Sequence, residues 1–245
     1  MVMKDDLGDR MKSYEKKRTG EKLDSGSIVY ARIDGRGFSK FTRGMDKPFD
    51  VGLRNTMIEV TRALVQKTLA LIGYTQSDEI SLAWRNSDLM QFNGKIQKLT
   101  SILAGMATSH FIIEGLDNID PPSIILERYP HFDARVFELP DLHELTNAFL
   151  WRYKDANRNA IMMIAQSVFS HKKLNKKNVK EVIEMLAEVG IFVNDFDKES
   201  IFGTFIYREK IDHVTYTRDT LIKNAIDFSK MPHEERYHYI TGEKI

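Results

Sequence analysis

An apolar, β-branched run of strand length, Ile28-Val29-Tyr30-Ala31-Arg32-Ile33, ends in Asp34-Gly35-Arg36-Gly37-Phe38. A second run, Ile80-Ser81-Leu82-Ala83-Trp84, alternates as a half-buried strand does and follows Gln76-Ser77-Asp78-Glu79. Each run sets a carboxylate at a strand end. Between them Asp50 stands where a helix N-cap belongs, and Leu53, Met57, Val60, Leu64 and Leu71 recur at helical spacing, with Gly73 as the stop. One helix of that length returns the chain and lays the strands side by side. The pattern therefore predicts strand, helix, strand, with Asp34 and Asp78 meeting beside a glycine-containing turn.

Two such aspartates repel unless a cation neutralises them. Mg²⁺ usually takes one or two carboxylates plus substrate phosphates. With a backbone carbonyl, the pair suffices to hold two ions against a nucleoside triphosphate and clamp the attacking and leaving oxygens. Gly35 lets the backbone approach a metal, and Gly37 opens the turn that follows. Aspartate also caps ordinary turns, and Asp-Gly and Ser-Asp are frequent pairs, so spacing alone leaves both readings open.

The rest of the chain suits an α+β architecture. Residues 91–110 form a second helix candidate, with Ile96, Leu99, Leu103 and Met106 on one face. Pro121-Pro122 breaks the chain, and Asp133-Ala134-Arg135-Val136-Phe137 reads as another strand, ended by Pro140. From 141 to 171 nearly every residue is helix-compatible, as are 180–188 up to Gly190, and 201–207 looks like a late strand. This predicts a catalytic unit over 1–140 and a mainly helical lobe over 141–245.

With 245 residues the chain can bury a substantial core, and a formal charge of only +1 provides no global field for or against nucleic acid. Local patches carry that question. Lys172, Lys173, Lys176 and Lys177 cluster in a run from His171 to Lys180 that reads either as a solvated helix end or as a grip on a phosphate backbone. Lys12, Lys16, Lys17 and Arg18 present the same choice. The absence of cysteine excludes disulfides and thiolate metal sites. Met1 to Asp6 has no apolar run, and no later segment reads as long and apolar enough to span a bilayer, so a soluble, cytoplasmic protein without membrane partners is expected. His110, His131 and His143 are scattered singly, and His213, His233 and His238 lack metal-ligand spacing. Trp84 and Trp151 both read as core residues.

Taken together, Arg32 to Phe38, Lys47-Pro48 and Gln76 to Ser81 resemble the tRNA(His) guanylyltransferase family. Further landmarks follow in the family's order: Leu7-Gly8-Asp9-Arg10-Met11-Lys12, Phe132-Asp133-Ala134-Arg135-Val136, Trp151-Arg152-Tyr153-Lys154-Asp155, Phe169-Ser170-His171-Lys172 and Gly190 to Asp195. The resemblance implies a Mg²⁺-dependent nucleotidyltransferase that uses GTP and ATP and adds nucleotides to an RNA 5′ end in the 3′-to-5′ direction. It implies a polymerase-palm-like, ferredoxin-type sheet with two helices, and assembly as a homotetramer. By position it assigns Asp34, Gly35 and Asp78 to two metal ions, with Glu79 beside them in the catalytic motif. Nucleotide binding falls to Asp34, Gly35, Arg36, Gly37, Phe38, Ser39, Lys47, Ser77 and Asp78, with Lys95 and Lys98 facing triphosphate. With tRNA as the implied partner, the lysine cluster at 172–177 becomes an RNA contact.

Eukaryotic members carry His-Ile-Asn-Asn just after the Trp-Arg landmark. Here that register reads Asn157-Arg158-Asn159-Ala160. This resembles the bacterial and archaeal guanylyltransferase-like branch, whose members repair truncated tRNA 5′ ends by templated addition. A nucleotide cyclase on the same palm, and a non-catalytic tRNA-binding relative, remain alternatives at this stage.

Overall fold

The computed structural model describes residues 6–24, 26–85, 91–208, 219–222, 227–243 and 245. His213 lies outside them, as does the side chain of Arg18. In chain order the elements are α1 (Asp6–Thr19), β1 (Ile28–Gly35), α2 (Phe38–Phe41), α3 (Val51–Thr68), β2 (Ile72–Gln76), β3 (Glu79–Arg85), α4 (Ile96–Asn118), α5 (Ser123–Arg128) and β4 (Phe132–Leu139). They continue with α6 (Leu142–Val168), α7 (His171–Leu174), α8 (Val179–Glu188), α9 (Lys198–Phe202), β5 (Thr204–Arg208), β6 (Asp219–Ile222) and α10 (His233–Thr241).

Among the described residues the strands form one antiparallel sheet in the order β4-β1-β3-β2-β5-β6. The first four, with α3 and α4, make the β-α-β-β-α-β arrangement of a ferredoxin-like unit, as expected. Alternation along β1 sorts its side chains between two cores. Val29, Ala31 and Ile33 join Ile80, Leu82 and Trp84 beneath α3 and α4, while Tyr30 joins Ile72, Tyr74 and Ala83 beneath α6. Arg32 and Asp34 share the parity of Tyr30 and so face α6. A third cluster packs the far end of α6 against α8 and α9 through Ile161, Ile164, Val182, Leu186 and Ile201.

Several local expectations are corrected. The segment between the two acidic strands holds a short helix, a long helix and an extra strand. α3 starts on Asp50, whose carboxylate accepts the Leu53 N–H at 2.8 Å, and stops at Leu69 in the left-handed region, φ 58°. Gly73 is no helix stop, and Leu71 is not on the helix. Gly73 sits inside β2, where an added Cβ would come within 2.6 Å of Val65 Cγ2 and 2.9 Å of Thr61 Cγ2, so its hydrogen lets α3 lie on the sheet. Ile201 and Phe202 end a helix and do not begin the late strand. That strand, β5, comes from beyond residue 140 yet pairs with β2, so the second half of the chain adds to the sheet of the first.

Two readings of apolar residues also change. α4 spans 23 residues and is long and apolar enough to cross a bilayer, against the expectation that no such segment exists. Its Leu99, Leu103, Ala107 and Phe111 pack on the sheet as a core helix does. Trp84 is core, with its indole N–H donating to the Thr68 carbonyl at 3.0 Å. Trp151 is not core: it is 53% exposed.

Candidate active site

β1 and β3 run antiparallel in a register that sets Asp34 opposite Glu79, and β4 sets Asp133 opposite Asp34 on its other side. β2 and β3 are joined by a hairpin turn of Ser77 and Asp78, with Gln76 paired to Glu79 and Ser77 at φ 55°. The Gly35 N–H donates to the Asp78 carbonyl at 3.0 Å, which ties the two acidic motifs together through backbone. An added Cβ on Gly35 would meet the Phe38 ring at 2.4 Å, so this glycine admits the phenylalanine that closes the core behind the site. Phe38 packs against Phe41, Phe111 and Phe132 with ring centroids 4.9 to 5.3 Å apart.

The carboxylates here are desolvated and crowded. Burial, then the negative charge of Asp34, pushes the Asp78 carboxyl up to about 6, against the pull of its backbone and Ser77 hydrogen bonds. Burial and then Asp133 raise Asp34, opposed by Arg32 and Arg152. Glu79 is raised as well, because its burial outweighs a two-pronged ion pair with Arg152. In that pair Arg152 Nε and Nη2 donate to the two Glu79 oxygens at 2.6 and 2.8 Å. Arg152 Nη2 also donates to Asp155 at 3.0 Å, and Arg32 Nε lies 4.0 Å from Glu79.

Two cavities meet at the Ser77-Asp78 turn. The larger, about 500 Å³, is lined by Phe38, Ser39, Lys47, Ser77 and Asp78, with Met45, Phe49, Leu53, Met57 and Ile58 as apolar wall. The smaller, about 230 Å³, is lined by Asp34, Ser77, Asp78 and Glu79 from the sheet and by Arg152, Asn159 and Met163 from α6. Gln76, Ser77, Asp78 and Met163 face both.

Asp34, Phe38, Ser39, Lys47, Ser77, Asp78 and Glu79 are thus brought together. Gly37, at φ 69°, and Arg36, whose N–H donates to the His131 carbonyl at 2.9 Å, shape the intervening turn without lining either cavity. Lys95 and Lys98 are not brought to the site. The start of α4 is anchored beside residues 21–23, where Ile96 donates to the Glu21 carbonyl at 3.2 Å and Leu23 to that of Gly94 at 3.0 Å. This is the Ile28 end of β1, six residues and roughly 20 Å along the strand from Asp34. Lys172, Lys173, Lys176 and Lys177 are exposed on α7 and the loop after it, just beyond Gln166 of the larger cavity. Lys177 pairs with Glu181 at 2.9 Å, and Lys173 lies 4.6 Å over the Phe169 ring.

Sequence reasoning assigned no role to Arg152, Arg54 or Asn159. Arg152 and Asn159 lie in quoted landmarks, so the signal was present without its contact. Arg54 Nη1 donates to Asp197 at 2.7 Å and Ser200 at 3.4 Å, fastening α3 to α9 across the larger cavity.

The oxygen-only donors of Asp34 and Asp78 suit a hard cation. Among the described residues no three His, Asp or Glu side chains cluster as a closed metal site. Two carboxylates at an open cavity match a cation that completes its shell with water and phosphate. Burial and then neighbouring negative charge raise both carboxyls, and a cation between them offsets both effects.

A family model described as tRNAHis guanylyltransferase matches residues 8–140. An uncharacterised protein of Acanthamoeba polyphaga mimivirus is 31% identical over 209 residues, 76% of this chain and 71% of that one. The tRNA(His) guanylyltransferase of Schizosaccharomyces pombe is 31% identical over 152 residues, 61% of this chain and 56% of that one. A bacterial tRNA(His) guanylyltransferase-like protein solved in complex with GTP matches with a TM-score of 0.76 at 31% identity, over 96% of this chain and 99% of that one. A structure of the same description in complex with ATP matches with a TM-score of 0.71 at 34% identity, over 86% and 93%.

Proposed function

The chain belongs to the tRNA(His) guanylyltransferase family, a family of nucleotidyltransferases, and from that membership we propose that it adds nucleotides to the 5′ end of a tRNA in the 3′-to-5′ direction, with Mg²⁺. The observation that carries this reading is the meeting of Asp34 and Asp78, both raised by burial and charge, where Asp78 also lines an adjoining cavity large enough for a nucleotide.

Asp34 and Asp78 hold the metal, with the Gly35 carbonyl as the family resemblance assigns it. When bound there, Mg²⁺ would supply Lewis acidity toward an attacking hydroxyl and positive charge against the phosphates and the leaving pyrophosphate. The chain's own groups do the positioning. The apolar wall of Met45, Leu53 and Met57 excludes water around a base, and the exposed Lys47 meets phosphate charge at the cavity mouth. Arg152 locks Glu79, and the β1–β3 register then fixes Asp34 opposite it. The bacterial relatives solved in complex with ATP and with GTP support use of both nucleotides here.

The Asn157–Ala160 register favours repair of truncated tRNA 5′ ends over service to histidine tRNA alone. Asn159 lines the smaller cavity beside Asp34, so this register lies where an RNA end would be handled. Exposed Ile102, Ile113 and Leu116 on α4 support assembly into a homotetramer.

The test offers 5′-truncated tRNAs, with mono- or triphosphate ends, each labelled nucleotide and Mg²⁺. Extension at the 5′ end, lost in Asp78→Ala while tRNA binding persists, is expected. A cyclic nucleotide made without RNA would turn the reading to a cyclase. Wild-type protein that binds tRNA but extends no end would make it a non-catalytic relative.

A further inference from the structure

Trp151 presents 53% of its surface to solvent one residue before Arg152, whereas the chain's other tryptophan, Trp84, is fully buried. Tryptophan is highly buried on average, so an indole left in water beside a reaction centre needs an explanation. Two guanidinium groups flank its ring, Arg152 Cζ at 4.6 Å and Arg32 Cζ at 5.8 Å from the centroid. Arg32 stands two residues before Asp34 on the same face of β1, a separation of about 7 Å. The indole therefore lies within a nucleotide or two of the carboxylates.

The neighbouring edge strand continues this surface. Arg135 is paired in register with Arg32, and Phe137 with Tyr30, so both point the same way as Arg32 and Asp34. Both are exposed, whereas Phe132, Ala134 and Val136 of that strand are buried in the opposite core. An open shelf thus runs along β4 through Arg135 and Phe137, with the partly covered Arg32 and the exposed Trp151 of α6 along its inner side. Flat aromatic faces interleaved with arginines are how proteins hold unpaired nucleotides, and stacking tolerates any base because every base has a π-face.

We propose that Trp151 is a stacking platform for a terminal base of the RNA acceptor end, with Arg32 and Arg135 facing the adjoining phosphates. This rests on the function proposed above. The guanidinium groups each have a carboxylate nearby: Arg152 holds Glu79 and Asp155, Arg32 lies by Glu79, and Arg135 sits 3.6 Å from Asp133. Stacking, and not net charge, is therefore the main source of affinity at this position.

Because Trp84 is buried away from RNA, a change in tryptophan emission that disappears in Trp151→Phe reports Trp151. Titration of wild-type protein with 5′-truncated tRNA should quench that emission, and Trp151→Phe should abolish the signal. In the extension assay Trp151→Ala should raise KM for RNA about tenfold, while Trp151→Phe, which keeps a stacking face, should stay within about threefold. KM for the nucleotide should not move in either variant, which separates lost stacking from a damaged fold. RNA that binds without altering emission, or an unchanged KM for RNA in Trp151→Ala, would overturn the proposal and leave the enzyme reading intact. If no RNA is extended, the enzyme reading fails, and the emission titration still decides the platform.

Discussion

Arg152 reaches from α6 to clasp both oxygens of Glu79, at 2.6 and 2.8 Å, across a gap where the arginine side chain is 11% and the glutamate 19% exposed. The clasp fixes the helical half of the chain to the strand that carries the acidic motif. Removing one partner leaves a mostly buried charge alone. Arg152→Met should therefore lower stability by about 3 kcal/mol. Arg152→Met with Glu79→Gln should recover much of that loss. Urea denaturation of the two single variants and the double variant measures the coupling, and additive effects would mean the pair is energetically independent.

Asp78 yields a pH prediction. Its carboxyl is pushed up to about 6 from an ordinary 3.8, so the folded state holds a proton that the unfolded chain has released. The stability linked to that proton is complete below about pH 4 and lost as the pH rises through about 6. Asp78→Asn should therefore stabilise the metal-free protein at pH 8, by about 1–3 kcal/mol, with the gain shrinking toward pH 4. Added Mg²⁺ should raise the melting temperature of the wild type at pH 8, less so at pH 5, and not that of the variant. Melting curves across pH, with and without Mg²⁺, check each arm.

Gly73 should resist even alanine. The added methyl would press on Val65 and Thr61, both buried on the rigid face of α3. Gly73→Ala is expected to cost about 1–3 kcal/mol. In a Val65→Ala background the same change should cost less, because the nearer of the two crowding methyls is gone and only that of Thr61 remains. Chemical denaturation of the four proteins provides the comparison.

The two groups of candidate nucleotide lysines should part company. Lys47→Ala, at the mouth of the larger cavity, should weaken nucleotide binding about tenfold through loss of a charged hydrogen-bond donor. Lys95→Ala and Lys98→Ala, at the far end of the sheet, should leave binding to a dilute single chain unchanged. Calorimetric titration with GTP at low protein concentration distinguishes them. An effect of Lys95→Ala that grows with protein concentration would place that lysine at the site of a second copy.

Local pattern made much of the site readable. Alternation and β-branching marked β1 and β3, and aspartates at their ends marked the reaction centre. β2 escaped because Gly73 imitates the glycine that ends a helix, and because most of this five-residue strand is buried, so it shows no polar alternation. The Arg152–Glu79 contact spans 73 positions, and no local rule connects residues so distant. Lys95 and Lys98 lie at the far end of the sheet because of the direction of β3. β3 starts at the site with Glu79 and ends with Arg85 opposite Ile28, so the helix that follows begins a strand's length from the carboxylates.

The turn of Ser77 and Asp78 is shared by the two cavities, with Gln76 and Met163 also lining both. Groups in the two cavities would be neighbours across that turn. A shift of the turn that widened one chamber would narrow the other, so neither could fill without adjusting the shape the second presents. The contents of the two chambers are thereby coupled through one short turn.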